Sequence, residues 1–369
     1  MCKYFLRFLC LWFICAGIAV KACEGDAIAL LNQKNEQGFY WWRQTLLNAC
    51  EASYAALPDD KEEIGMPLGK LSAIMNKGFQ PYWDTVVPFG IAVGNEKGVP
   101  WDLKKNHCGI VAYKNGQFVV AFKGTDFSSI TNPSVFTDLE FDRKGIKNYF
   151  PESPETLDMR KFWEPTKGEP RLHRGFMKAA LSCRRDVLAI LAKLAYKPHQ
   201  NVLVLTGHSL GGAIATLFAA QLYEHYFPGQ RKVPGYPVKV VTFGAPRPFN
   251  RFAKTEFDEH MGVRALARFV NIYKAKVSWD VDDIVTNLPP SWTNAPLGEQ
   301  SFKNPGTRIL VTYPRWIAWR VGLHYLDRYR ESLSAHNRDI EGDDGGGDAA
   351  ASRVPLQVMI ALRGSDMVR

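Results

Sequence analysis

Residues 201–206, Asn-Val-Leu-Val-Leu-Thr, are short, apolar and β-branched, whereas residues 213–222 are rich in alanine and leucine. Between them stands Gly207-His208-Ser209-Leu210-Gly211-Gly212. A strand that becomes a helix within so few residues must turn sharply, and its two arms must pass close together. Only glycine tolerates that approach at the flanks. By chance a G-x-S-x-G pattern arises in roughly one chain in ten of this length, so the flanking strand and helix carry the inference, not the pattern itself. In that context the serine occupies a strained turn that lifts its Oγ above the sheet edge. The N–H of Leu210, at the positive end of the helix dipole, then points to where an oxyanion would form.

The rest of the chain reads as alternating strands and helices. Residues 39–56 have helical apolar spacing, closed by Pro58-Asp59-Asp60. Residues 107–122 read as a hairpin around Asn115-Gly116, the strongest short hairpin signal. Residues 175–197 read as a helix, and 238–243 and 269–273 as further strands. The alternation predicts an α/β fold: a mostly parallel central sheet with helices on both faces.

The ends differ from this body. Lys3 and Arg7 precede an apolar run over 8–20, and Val20-Lys21-Ala22 offers a cleavage site, so 1–22 read as a secretory signal peptide. A membrane anchor and a lipid anchor on Cys23 are the alternatives, although the apolar run is shorter than the ~20 residues a span needs. The main domain is expected over 23–335. Residues 336–369 form a tail that includes the low-complexity run 341–348, expected to be disordered.

The formal charge is +9. Loss of residues 1–22 would remove Lys3, Arg7 and Lys21, leaving six of the nine positive charges. They are scattered, with no basic stripe, helix-turn-helix cue or zinc spacing, so no nucleic-acid partner is expected. Four cysteines, Cys23, Cys50, Cys108 and Cys183, would remain, and in an exported chain they allow two disulfides in three pairings. No C-x-x-C occurs, and no metal or other cofactor is expected.

A nucleophilic serine needs a base, and on this strand–turn–helix unit the chain order is Ser, acid, His. Of eight histidines, His107, His173, His199 and His208 precede the serine. His225 follows it too closely, His260 precedes the strand whose end should carry the acid, and His336 borders the tail. His324 remains. Asp280, Asp282 and Asp283 all follow the 269–273 strand; Asp283 is preferred, with Asp282 the runner-up.

Phe122-Lys123-Gly124-Thr125, Leu172-His173-Arg174-Gly175-Phe176, 207–212, Thr242-Phe243-Gly244-Ala245-Pro246-Arg247, Asp283-Ile284-Val285 and His324 together resemble the fungal-type (class 3) lipases of the α/β-hydrolase superfamily. The resemblance covers roughly 105–330. It implies an α/β-hydrolase fold and a catalytic Ser209, Asp283 and His324, with Thr125 joining Leu210 in the oxyanion hole. The family's aspartate precedes a hydrophobic pair and then Leu-Pro, as Asp283 does, and Asp327 and Tyr329 match the acid and tyrosine that often follow its histidine. His173 matches a supporting, non-catalytic histidine. Lys123 and Pro248-Phe249-Asn250 depart from the family pattern at supporting positions.

The implied activity is cofactor-free hydrolysis of lipid carboxylic esters through an acyl-enzyme, by a secreted or periplasmic triacylglycerol lipase or carboxylesterase. A phospholipase A1 is the alternative. A second alternative is a hydrolase fold kept as a binding module, which would have no reason to retain all four of Ser209, Asp283, His324 and Thr125. The partner is a lipid or ester substrate at a lipid–water interface, with no obligate protein partner evident. Residues 145–171, carrying Phe150, Leu157, Met159, Phe162 and Trp163, stand where the family has a lid.

Overall fold

A computed structural model describes residues 26–34, 40–55, 68–77, 83–90, 107–124, 143–145, 168–228, 230, 238–273, 281–289, 302–315 and 320–341. The expected signal peptide (1–22), Thr125, most of the lid segment and the tail beyond 341 lie outside them. In chain order the helices are α1 (Ala27–Leu31), α2 (Trp41–Tyr54), α3 (Leu68–Met75), α4 (Arg174–Lys193), α5 (Leu210–Tyr226), α6 (Arg251–Met261) and α7 (Leu326–Glu341). The strands are β1 (Thr85–Gly90), β2 (His107–Lys114), β3 (Gln117–Phe122), β4 (Arg143–Gly145), β5 (Arg171–His173), β6 (Val202–His208), β7 (Val238–Phe243), β8 (Leu266–Tyr273), β9 (Val281–Asp282) and β10 (Thr307–Thr312).

The main sheet runs β1-β2-β3-β6-β7-β8-β10, with β9 paired to β8. β3, β6, β7, β8 and β10 are mutually parallel, while β1, β2 and β9 join antiparallel. This is the mostly parallel sheet expected from the alternating pattern. The β2–β3 hairpin turns at Asn115 (φ 45°) and Gly116 (φ 77°), the two positive φ angles of a type I′ turn.

Strand alternation splits the core into two layers. Val120, Phe122, Leu203, Leu205 and Val240 face α4, α5 and α6, where Phe176, Val187, Leu217, Phe218 and Phe257 meet them. Val119, Ala121, Val204, Val241 and Phe269 face the opposite way, onto Trp42, Leu46 and Ala49 of α2 and Tyr329 and Leu333 of α7. A strand buried on both faces needs a near-continuous apolar run, which β6 supplies over 202–205 and β7 supplies apart from the buried Lys239.

The departure at Pro248-Phe249-Asn250 has a structural use. Phe249 bridges Leu172 on one side and Lys303 on the other. Asn250 caps α6, its Oδ1 accepting from Ala253 N at 2.9 Å, and also from Arg171 N at 3.0 Å.

Candidate active site

Every parallel strand delivers its C-terminal end to the same edge of the sheet, and open α/β sheets bind ligands there. Ser209 follows β6 directly and precedes α5. Its φ of 56° and ψ of −131° put an L residue in a conformation that costs of order 1–3 kcal/mol. Close packing holds it there. A Cβ on Gly207 would lie 2.2 Å from the carbonyl carbon of Gly211, and one on Gly211 would lie 2.1 Å from the carbonyl oxygen of Phe122. Ser209 N donates to Phe243 O at 2.9 Å, tying the turn to the end of β7. Leu210 is the first residue of α5, where the leading N–H groups have no partner within the helix.

The acid comes from the far side of β8. Asp283 is completely buried, and its own N–H donates to Asn271 O at 2.9 Å. Its carboxylate accepts three hydrogen bonds: from His324 Nδ1 at 2.7 Å, Tyr329 Oη at 2.7 Å and Val285 N at 2.9 Å. Asp282, the alternative left open by spacing, faces elsewhere: it accepts from Arg308 Nη2 and Asn287 Nδ2, each at 3.0 Å. The carboxylate beside His324 is therefore that of Asp283.

His324 ends a short 3₁₀ turn, Arg320–His324, and is also fully buried. Because Nδ1 meets an acceptor-only carboxylate, it carries the proton, which leaves Nε2 as the basic nitrogen. The backbone around it is fixed as well. Its carbonyl accepts from His208 Nε2 at 2.6 Å, and the carbonyl of Leu323 accepts from Asn271 Nδ2 at 2.9 Å.

His208 links the serine turn to the histidine turn. It immediately precedes Ser209, and its ring centroid lies 4.7 Å from that of His324. Burial first, and then the neighbouring His324, push its pKa well below the ordinary histidine value. It is therefore neutral, with the proton on Nε2, and Nδ1 accepts from Tyr54 Oη at 3.0 Å. Tyr54 closes α2 and also crowds the segment just beyond β3, since a Cβ on Gly124 would lie 2.1 Å from its hydroxyl. Gly244 completes the arrangement: a Cβ there would lie 2.7 Å from Asp283 Oδ2 and 2.8 Å from His324 Nδ1.

The structure thus gathers Ser209, Leu210, Asp283 and His324 at one sheet edge. β3 ends three residues before Thr125, which lies outside the described residues. His173 is placed as a support: it caps α4, with Nδ1 accepting from Phe176 N at 3.3 Å, and burial holds its pKa down to about 4. Among the described residues no group of three or more His, Cys, Asp or Glu could hold a metal ion.

Sequence reasoning missed Tyr54, His208 and Asn271 as site residues. For Tyr329 it had the position but not the contact. Burial and the adjacent Asp283 push the Tyr329 hydroxyl well above its ordinary pKa, so it remains a donor to that carboxylate.

Residues 119–292 match the family model described as lipase (class 3). Phospholipase A1-II 3 of Oryza sativa subsp. japonica is 28% identical over 214 residues, covering 53% of this chain and 45% of that protein. Phospholipase A1-II 6 of the same plant is 33% identical over 192 residues, covering 49% and 41%. The secreted mono- and diacylglycerol lipase 1 of Fusarium solani is 29% identical over 119 residues, covering 32% and 30%. A solved structure of the triacylglyceride lipase of Rhizomucor miehei aligns with a TM-score of 0.38 and 21% identity, over 56% of this chain and 61% of that one. The chain spans about half the length of the curated relatives it matches. Residues 119–292, the stretch that carries Ser209, Leu210 and Asp283, are thus similar to the class 3 lipases.

Proposed function

We propose that this protein is a serine hydrolase that cleaves carboxylic esters of lipids through an acyl-enzyme. The observation that carries the reading is the buried Asp283–His324 pair set beside the strained Ser209 turn. Ser209 Oγ attacks the ester carbonyl while His324 Nε2 takes its proton. Asp283 holds the imidazole in the tautomer that leaves Nε2 basic and stabilises the imidazolium that forms. The N–H groups of Leu210 and Thr125 receive the oxyanion, each contributing about 3 kcal/mol to the barrier reduction. His324 then protonates the leaving alcohol. Water, deprotonated by the same nitrogen, releases the acid and regenerates the serine.

The match of residues 119–292 to the class 3 lipase model supports an ester of a lipid as substrate, met at a lipid–water interface, with residues 145–171 as the segment that opens there. Its apolar side chains would cover the acyl site in water and turn to the lipid surface. Export through the 1–22 segment fits an enzyme that works on lipid outside the cell. Relatives named as phospholipases A1 favour a second reading, in which the scissile ester belongs to a phospholipid.

A panel of soluble p-nitrophenyl esters, emulsified triolein and phosphatidylcholine vesicles tests these readings. The proposal expects hydrolysis that Ser209→Ala abolishes, with faster turnover per ester on an emulsion or vesicle than in solution. Hydrolysis that survives Ser209→Ala overturns the mechanism. Equal rates on dissolved and dispersed substrate overturn the interfacial role of 145–171. Release of fatty acid from phosphatidylcholine but not triolein selects the second reading.

A further inference from the structure

Two thiols lie together in the core layer beneath α4, neither of them among the proposed catalytic residues. Cys108 is the second residue of β2, and Cys183 sits midway along α4. Cys183 is fully buried and Cys108 partly so, and both are reduced thiols in the structure. Cys183 belongs to the core cluster against which Cys108 packs, its Sγ donates to Ala179 O at 3.2 Å, and the two thiols interact. The surrounding framework fixes the approach. One turn beyond Cys183, Asp186 Oδ2 accepts from Gly90 N at 3.5 Å, and Gly90 is paired in register with His107, the neighbour of Cys108. Cys50 is no competitor for either thiol. It packs on the opposite face of the sheet, where its Sγ contacts Thr206 Oγ1 at 3.7 Å.

We infer that Cys108 and Cys183 form a disulfide in the exported protein, joining β2 to α4. The oxidant is a small disulfide such as glutathione disulfide. Cys108, the more accessible of the two, attacks one sulfur of the oxidant as a thiolate and expels one thiolate leaving group. Cys183 then loses its proton and attacks the Cys108 sulfur of the mixed disulfide, expelling the second. Two protein thiols and one small disulfide become one protein disulfide and two small thiols, so electrons and protons balance. The Cys108 contact and burial hold the Cys183 thiol well above its ordinary pKa, so the second step is the slow one and accelerates with rising pH.

The link has a consequence for the site. Cys108 O accepts from Lys123 N at 2.7 Å. Lys123 leads through Gly124 into Thr125, so fixing Cys108 to α4 fixes the strand end that leads into the oxyanion loop. The bridge closes a loop of about 75 residues, long enough for a rise in unfolding temperature of about 5–10 °C.

The test uses the full-length protein, incubated with glutathione disulfide or with dithiothreitol, then denatured, alkylated and mapped by non-reducing peptide mass spectrometry. The inference expects a cross-linked Cys108–Cys183 peptide only in the oxidised sample, and a higher unfolding temperature that the C108S/C183S double variant fails to gain. It is overturned if both cysteines are alkylated after oxidation. It is overturned equally if a glutathione adduct persists on Cys108, or if either residue pairs with Cys23 or Cys50. Mapping the wild-type chain decides the matter even if the double variant does not fold. Because the readout is a covalent bond, it stands or falls apart from the hydrolase reading.

Discussion

Replacing Gly244 by alanine isolates the geometry on which the site depends. Gly244 follows β7 with a φ of 63°, and an added methyl would lie 2.7 Å from Asp283 Oδ2, 2.8 Å from His324 Nδ1 and 2.9 Å from His324 Cε1. Ordinary contact begins near 3.4 Å, so the pair must retreat by roughly 0.7 Å. A misplacement of about 1 Å costs about 10²-fold in rate, which is ~2.7 kcal/mol in the barrier. Left-handed backbone strain adds a separate loss of about 1–2 kcal/mol in stability, lowering the unfolding temperature by about 2–8 °C. Gly262 supplies the control, because its φ is 82° and an added Cβ meets nothing within 4 Å. Gly262→Ala therefore carries the strain without the clash. Steady-state hydrolysis of a soluble p-nitrophenyl ester and thermal unfolding separate the two effects. Gly244→Ala should lose about 10²-fold in kcat/KM, and Gly262→Ala should stay within about twofold while losing similar stability. If Gly244→Ala kept activity within about threefold, or if Gly262→Ala fell just as far, the Asp283–His324 pair would not be the sensitive element.

Three further outcomes follow from the same structure. Tyr329→Phe removes a buried hydrogen bond to a carboxylate and leaves Asn271 N without its acceptor; about 2 kcal/mol of stability and up to about tenfold in kcat should go, and a variant unchanged in both measurements refutes the role. Asp283→Asn should cost about 10⁴-fold in kcat, whereas Asp282→Asn breaks a half-exposed pair with Arg308 and should change kcat by less than about threefold; the reverse ranking would assign the acid to Asp282. Acid should destabilise the fold, because burial holds His173 at about 4 and His208 well below its usual value. Above about pH 6.5 both states leave these rings neutral, but below it the unfolded chain binds protons that the folded one refuses, at ~1.4 kcal/mol per pH unit per ring. Unfolding temperatures measured from pH 8 to 5 should fall below pH 6.5, and a flat profile from 7 to 5 contradicts the assignment.

The parts of the site legible in sequence were those whose chemistry is local. The strand, turn and helix around Ser209 are contiguous, so residue pattern and backbone strain report the same feature. Asn115-Gly116 likewise announces its own turn. The acid was half legible. Spacing alone could not separate Asp282 from Asp283, because a one-residue shift on a strand reverses the side to which a side chain points. In the structure Asp283 turns inward to His324 while Asp282 turns out to Arg308. Contacts between distant segments left no local mark: Tyr54 and His208 are 154 positions apart, and Tyr329 and Asp283 are 46 apart. Among the elements passed over, two show different reasons. β10 is an edge strand with only alternate residues buried, so its apolar signal is thin. α6 is strongly charged, and its Ala253, Phe257 and Met261 stripe is narrow beside the polar face.

The most direct measurement of the central claim is covalent labelling with a fluorophosphonate, followed by peptide mass spectrometry. The reagent needs an activated serine but no particular lipid, so it reads the catalytic machinery apart from substrate choice. A single adduct on Ser209 is predicted, absent from Ser209→Ala and formed at least about 10²-fold more slowly in His324→Ala. No adduct on the folded wild-type chain, or an adduct on another serine while ester hydrolysis persists, would contradict it.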